Sequence, residues 1–212
     1  MLRIFLFAMI AGAICGCGSN QALESALLAG EEVEPGRYSA CMACHGLIAQ
    51  GDQEKGAPAL SQLPADYLVL QMANIRDGIR TAAGCAEALA AHEVADELAD
   101  LAKTIGSYTA VWPAPSQRGG NVKNGKKIFS TCLACHAPDG SGFPALAAPP
   151  LIYQHDWYLR HTLQEFRTGA RGTHELDRNG KRMSVGIGSF VPSDAAVVDV
   201  VAYINSLKED HQ

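Results

Sequence analysis

The chain has 212 residues, 48% of them hydrophobic, and 17 basic against 22 acidic side chains give a net charge of −5 at pH 7. That length supports one or two small domains. The acidic balance excludes the basic stripe a nucleic-acid-binding protein carries.

The first element is an export signal. Met1-Leu2-Arg3 precedes an apolar run from Ile4 to Ile14 and then Cys15-Gly16-Cys17-Gly18-Ser19. One positive charge, about ten apolar residues and then small residues describe a signal peptide over 1–16, too short to span a bilayer. Ile14-Cys15-Gly16-Cys17 resembles a bacterial lipobox, with Cys15 as an unusual middle residue. A lipid on Cys17 would tether the protein to a membrane surface without a spanning helix. The alternative is ordinary cleavage nearby, leaving a soluble periplasmic protein. Residues 17–33 then form a tether or a short helix. Cleavage before Cys17 leaves 16 basic and 22 acidic side chains, net −6, unevenly divided. Residues 17–111 carry −8 and residues 112–212 carry +2.

A first unit over 34–111 begins with a helix from Pro35 to Cys44, ending in Cys41-Met42-Ala43-Cys44-His45. A loop rich in glycine and proline, Gly51 to Pro64, leads to a helix over Ala65 to Asp77 that stops at Gly78, as helix C-termini do. A loop from Thr81 to Glu93 precedes a last helix from about Val94 to Tyr108. Residues 112–120, Trp112-Pro113-Ala114-Pro115-Ser116-Gln117-Arg118-Gly119-Gly120, are a linker, stiff at its start and flexible at its end.

The second unit, 121–212, repeats the first. Its opening helix, Asn121 to Cys135, carries Cys132-Leu133-Ala134-Cys135-His136. A loop from Ala137 to Pro150, a helix from His155 to Thr168 stopping at Gly169, and a last helix from Ser193-Asp194 to Lys208 follow. Ser193 is a candidate N-cap. Val197, Val200, Val201 and Ile204 mark the buried face of that last helix. Adding 91 maps Cys41, Cys44 and His45 onto Cys132, Cys135 and His136, Pro58 onto Pro149, Tyr67 onto Tyr158 and Arg80 onto Arg171. No strand pattern is present, so the expected fold class is all-α.

The C-x-x-C-H pattern reads as c-type haem attachment. On one helical turn the two thiols can each form a thioether with a haem vinyl group, and the following histidine is held under the iron as axial ligand. Zinc sites need no histidine directly after each pair, and thioredoxin-like motifs occur near a βαβ pattern. Two complete motifs predict two covalently bound haem c groups, attached at Cys41 and Cys44 over His45 and at Cys132 and Cys135 over His136. Ionised haem propionates would add negative charge to both units.

The residues Gly125-Lys126-Lys127-Ile128-Phe129, Tyr158-Leu159-Arg160, Phe166-Arg167-Thr168-Gly169-Ala170-Arg171 and Val201-Ala202-Tyr203-Ile204 make the chain similar to class I cytochromes c. The tandem arrangement resembles the dihaem cytochrome c4 family over residues 34–208. The resemblance implies two class I domains of three main helices each. It also implies periplasmic electron transfer, often from a quinol-oxidising complex to a terminal oxidase or reductase.

It implies further that a methionine from a loop before the last helix is the sixth iron ligand. Met183 is the only candidate in the second unit, which has no other methionine. The first unit departs from this pattern, because its loop has no methionine. Cys85 stands 20 residues before Ile105, and Met183 stands 21 before Ile204. Cys85 as distal thiolate, His92, or Met72 from the second helix are the alternatives. Met72 is weakened by its repeat partner, which is Leu163 and offers no ligand atom, and an inert Cys85 beside five-coordinate iron is a further option. His/Cys haems occur in sulfur-oxidising cytochromes, so a thiosulfate dehydrogenase-like enzyme is the second reading beside the favoured electron carrier. The extended N-terminal segment of those enzymes is not found here.

Remaining polar residues take simpler expectations. His155, His161 and His174 lack ligand spacing and read as surface or helix side chains. Arg76 and Arg80, with their partners Arg167 and Arg171, suggest haem-propionate or packing roles. Tyr67, Tyr158 and Trp157 suit a haem edge or a domain interface. Arg178, Lys181 and Arg182 around Met183 make a candidate docking patch for an acidic partner.

Overall fold

The computed structural model describes residues 38–82, 84–92, 95–108, 113–116 and 119–209, all of which belong to one compact unit. The export segment, Cys17, the tether and the linker residues Trp112, Gln117 and Arg118 lie outside the described residues. No single helix among the described residues is long and apolar enough to cross a membrane.

The first repeat comprises α1 (Ser39–His45), α2 (Ala65–Arg76), α3 (Cys85–Ala90) and α4 (Ala95–Gly106). The second comprises α5 (Val122–Phe129), α6 (Leu133–His136), a 3-10 turn at Pro144–Leu146, α7 (Asp156–Thr168), α8 (Arg178–Phe190) and α9 (Asp194–Glu209). The fold is all-α, and among the described residues the only β pairings are two isolated bridges. Those bridges, Asp52 with Ala57 and Phe143 with Ala148, are themselves related by the 91-residue offset.

Three local expectations change. The helix expected over Asn121 to Cys135 is broken, because a turn at Ser130–Cys132 separates α5 from α6. The distal segments expected as loops contain helices, α3 in the first repeat and α8 in the second. Asp177 starts α8 by accepting the Gly180 N–H at 2.8 Å, which offsets a helix otherwise weakened by Gly180, Gly186 and Gly188. The last helix begins as expected, with Ser193 Oγ accepting the Ala196 N–H at 3.2 Å.

Each repeat has its own core. Leu98, Leu101, Ala102 and Ile105 line one face of α4 and pack with Tyr38, Leu68 and Met72. Phe129, Leu159, Leu163, Val197, Val201 and Ile204 do the same in the second repeat. Burying each large aliphatic side chain contributes about 1.5–3 kcal/mol. An aromatic pair ties the first helix of each repeat to its last. Tyr38 and Tyr108 have ring centroids 5.2 Å apart, and Phe129 and Tyr203 5.3 Å apart. In the second repeat α5 crosses α9 at Gly125, where a Cβ would stand 1.9 Å from the Asp199 carbonyl oxygen. Asp199 fixes that crossing by accepting the Asn121 N–H at 2.6 Å and the Asn124 amide at 2.7 Å.

The two repeats meet through buried polar contacts. Gln154 accepts the Ala59 N–H and donates to the Ala59 carbonyl, both at 3.0 Å. His155, expected as a surface or helix side chain, is half-buried and bonds the Gln50 carbonyl through Nε2 at 2.7 Å. Tyr158 accepts a bond from Arg80 at 2.9 Å, which puts it between the repeats.

Candidate functional site

Both C-x-x-C-H segments end a short helix and feed the same loop. Gly51 N–H bonds the His45 carbonyl at 2.8 Å, and Gly142 N–H bonds the His136 carbonyl at 3.0 Å. The turn after each motif needs left-handed backbone, found at Gly46 and Ala49 in one repeat and at Ala137 and Gly140 in the other. Gly51 and Gly142 also stand where a Cβ would collide with backbone, at 2.7 Å and 2.5 Å. The close approach brings a proline carbonyl onto each histidine. His45 Nδ1 lies 2.9 Å from the Pro58 oxygen, and His136 Nδ1 lies 3.1 Å from the Pro149 oxygen.

A carbonyl only accepts, so Nδ1 carries the proton in both rings and Nε2 keeps its lone pair. That tautomer is the one an iron ligand requires, and the carbonyl contact fixes the ring plane. Burial lowers the affinity of both imidazoles for a second proton, against the opposing effect of the proline contacts. Both rings are therefore neutral at neutral pH.

In the second repeat these groups open on one cavity of about 210 Å3. Cys132, Cys135 and His136 line one side, and Met183 of α8 lines it as well. The expected site residues of that repeat are thus brought together, with Met183 on a helix instead of a loop. Phe166, Ile187 and Val191 give apolar walls, while Thr162 and Arg171 give polar ones. Arg171 Nε and Thr162 Oγ1 are buried without a hydrogen-bond partner among the described residues. Vinyl-reactive thiols, a neutral imidazole, a thioether, apolar walls and unsatisfied donors together match the surface of a haem with its two carboxylates. Tyr67 and Gln71 of the first repeat complete the lining.

In the first repeat Cys85 is the first residue of α3, after Gly84 in left-handed backbone at φ 72°. Burial raises the Cys85 thiol, and the Cys44 thiol adds to that effect. Cys85 in turn raises Cys41, after burial. Cys85 packs on the same core as Cys41 and Met72. Met72 is buried in α2, whereas His92 follows α3 and its carbonyl accepts a bond from Arg76 at 3.1 Å.

The arginines divide. Arg76 is occupied by Asp77 at 2.8 Å and by His92, and Arg167 by Asp194. Arg80 and Arg171 instead converge between the repeats. Both line a second, polar cavity of about 220 Å3, bounded by Gly78–Thr81 of one repeat and Ala170–His174 of the other. Gln71, Gln154 and Lys208 were not legible as site residues. Gln71 differs from its repeat partner Thr162, but so do the neighbouring pairs from Val69/Arg160 to Ile75/Phe166, so the sequence does not single it out.

Comparison with known proteins agrees with this geometry. A family model described as cytochrome c matches residues 122–208. Cytochrome c4 of Pseudomonas aeruginosa is 32% identical over 144 residues, which cover 64% of this chain and 70% of that protein. A protein of Stutzerimonas stutzeri named thiosulfate dehydrogenase electron acceptor is 28% identical, over 66% of this chain and 69% of the relative. The reduced recombinant cytochrome c4 from Pseudomonas stutzeri superposes with a TM-score of 0.63 at 23% identity. It matches 82% of this chain and 97% of that one, and shows the same fold.

Proposed function

The chain belongs to the cytochrome c4 family, electron-transfer cytochromes with covalently bound haem c, and on that premise we propose that it is a periplasmic dihaem carrier. One haem is attached at Cys41 and Cys44 over His45 in a domain spanning 34–111. The other is attached at Cys132 and Cys135 over His136 in a domain spanning 121–212. The observation that carries this reading is the 210 Å3 cavity of the second repeat, lined by both motif thiols, a neutral His136 and the Met183 thioether. The identical histidine–proline contact in the first repeat extends it to both motifs.

Each haem iron supplies a one-electron couple. The protein residues set its direction. Met183 would hold the second iron through its thioether, which would favour ferrous iron and raise that haem's potential. Cys85 would hold the first iron as a thiolate, which would favour ferric iron and lower that haem's potential, and its packing on the same core as Cys41 supports it. Electrons then enter at the acidic first domain and leave from the second. Partners are redox proteins, a quinol-oxidising complex as donor and a terminal oxidase or reductase as acceptor. Exposed Arg178, Lys181 and Arg182 on α8, beside Val185 at 72% and Phe190 at 49% exposure, form the exit face for an acidic partner. A lipid on Cys17 would hold the carrier at the membrane surface.

The relative named as an electron acceptor of thiosulfate dehydrogenase favours one variation, a carrier fed by a sulfur-oxidising enzyme. A thiosulfate-oxidising site on this chain is the second reading, favoured by Cys85 alone. Arg76 and Arg80, its anion-binding candidates, already hold Asp77 and Gln71. Stopped-flow mixing separates the readings. A carrier exchanges electrons with a second cytochrome in a salt-dependent way and shows no turnover with thiosulfate. Catalytic reduction by thiosulfate would overturn the carrier reading.

A further inference from the structure

The two repeats are not symmetric where they meet. Arg80 and Arg171 are repeat partners, yet both donate to one acceptor, Gln71 Oε1, at 2.7 Å and 3.2 Å. The repeat partner of Gln71 is Thr162, whose hydroxyl is buried without a partner among the described residues. Arg80 also reaches across to Tyr158, and the Arg171 guanidinium lies over the Phe166 ring at 4.7 Å. Gln71 and Arg171 line the same cavity as Cys132, His136 and Met183. A side chain of the first repeat therefore holds a cation of the second repeat at the wall of the second site.

We infer that Gln71 is a positioning residue, fixing the Arg80 and Arg171 cations between the two sites and thereby setting the potential of the second haem from the first domain. The physical basis is the field of a guanidinium beside an iron whose charge changes by one. A positive charge at the cavity wall favours ferrous iron, and the amide oxygen of Gln71 partly compensates that charge. The effect is strongest at the second site, because Gln71 and Arg171 both belong to its wall. Within a partly dry interface such interactions are several-fold stronger than in water.

This inference rests on the dihaem reading, and its test keeps the two apart. The full chain is prepared with haem attached, and haem content per chain is measured for the parent and for Gln71→Glu and Gln71→Leu. The potential of each haem is then titrated spectroscopically. Gln71→Glu places a carboxylate between the two cations and lowers the second haem's potential more than the first's. Gln71→Leu removes the acceptor, leaves the cations uncompensated and shifts the second haem upward. Opposite shifts separate an electrostatic role from loosened packing, which moves both variants the same way. Unchanged potentials, or shifts of one sign in both variants, overturn the inference while leaving the dihaem reading intact. A parent with fewer than two haems refutes that reading instead.

Discussion

Gln154 grips Ala59 as a second backbone would, accepting its N–H and donating to its carbonyl at 3.0 Å each. Both residues are buried, and Ala59 follows the proline whose carbonyl meets His45. The joint between the repeats is therefore attached directly to the loop that orients the first histidine.

Gln154→Leu leaves the Ala59 N–H and carbonyl buried without partners, each costing about 1–3 kcal/mol. We expect a loss on the order of 2–4 kcal/mol in denaturant unfolding and slower electron transfer between the haems. An unfolding midpoint equal to that of the parent counts against the joint.

Gly125→Ala tests the crossing of α5 and α9. Its Cβ would stand 1.9 Å from the Asp199 carbonyl and 2.9 Å from the Tyr203 Cβ, so the helices must separate. Overpacking of this kind costs about 1–3 kcal/mol. Thermal unfolding checks it, with Gly188→Ala as the control, because nothing lies within 4 Å of a Cβ there.

Much of this architecture is legible in the sequence. The two pentapeptides, Gly169 after α7 and the Ser193 cap each act through neighbours in the chain, so spacing alone exposes them. Helix α8 is not legible, since three glycines in thirteen residues argue against a helix that Asp177 and tertiary packing nevertheless hold. The joint is hidden for a different reason. Gln154 and Ala59 lie 95 residues apart, His155 and Gln50 105 apart, and no local pattern marks partners at that range. His155 consequently reads as a surface or helix side chain until the fold places it.

Lys208 gives stability a pH dependence. Burial pushes its ammonium group down to about 8, with Asp156 opposing, while Nζ donates to the Gln154 carbonyl at 2.7 Å. An unfolded lysine keeps its proton to roughly 10.4. Between about 8 and 10.4 the unfolded chain thus binds more protons than the folded one, so stability rises with pH across that window and this contribution is flat below it. The rise is on the order of 3 kcal/mol and is absent from Lys208→Met. Denaturation midpoints taken from pH 7 to 10.5 measure it.

The exit face is tested by charge reversal. Lys181→Glu with Arg182→Glu reduces the rate of electron exchange with an acidic partner about tenfold or more at low salt, and the difference shrinks as salt screens the charges. Unaltered rates at low ionic strength place the contact elsewhere.

The central claim is that one chain carries two haems distinguished by the residue above the iron, Cys85 in the first domain and Met183 in the second. Low-temperature EPR of the ferric protein beside Cys85→Met tests it most directly. The account predicts two low-spin signals, one of thiolate type that disappears in the variant while the other persists. Two signals of one type, or a spectrum that Cys85→Met leaves unchanged, would contradict it.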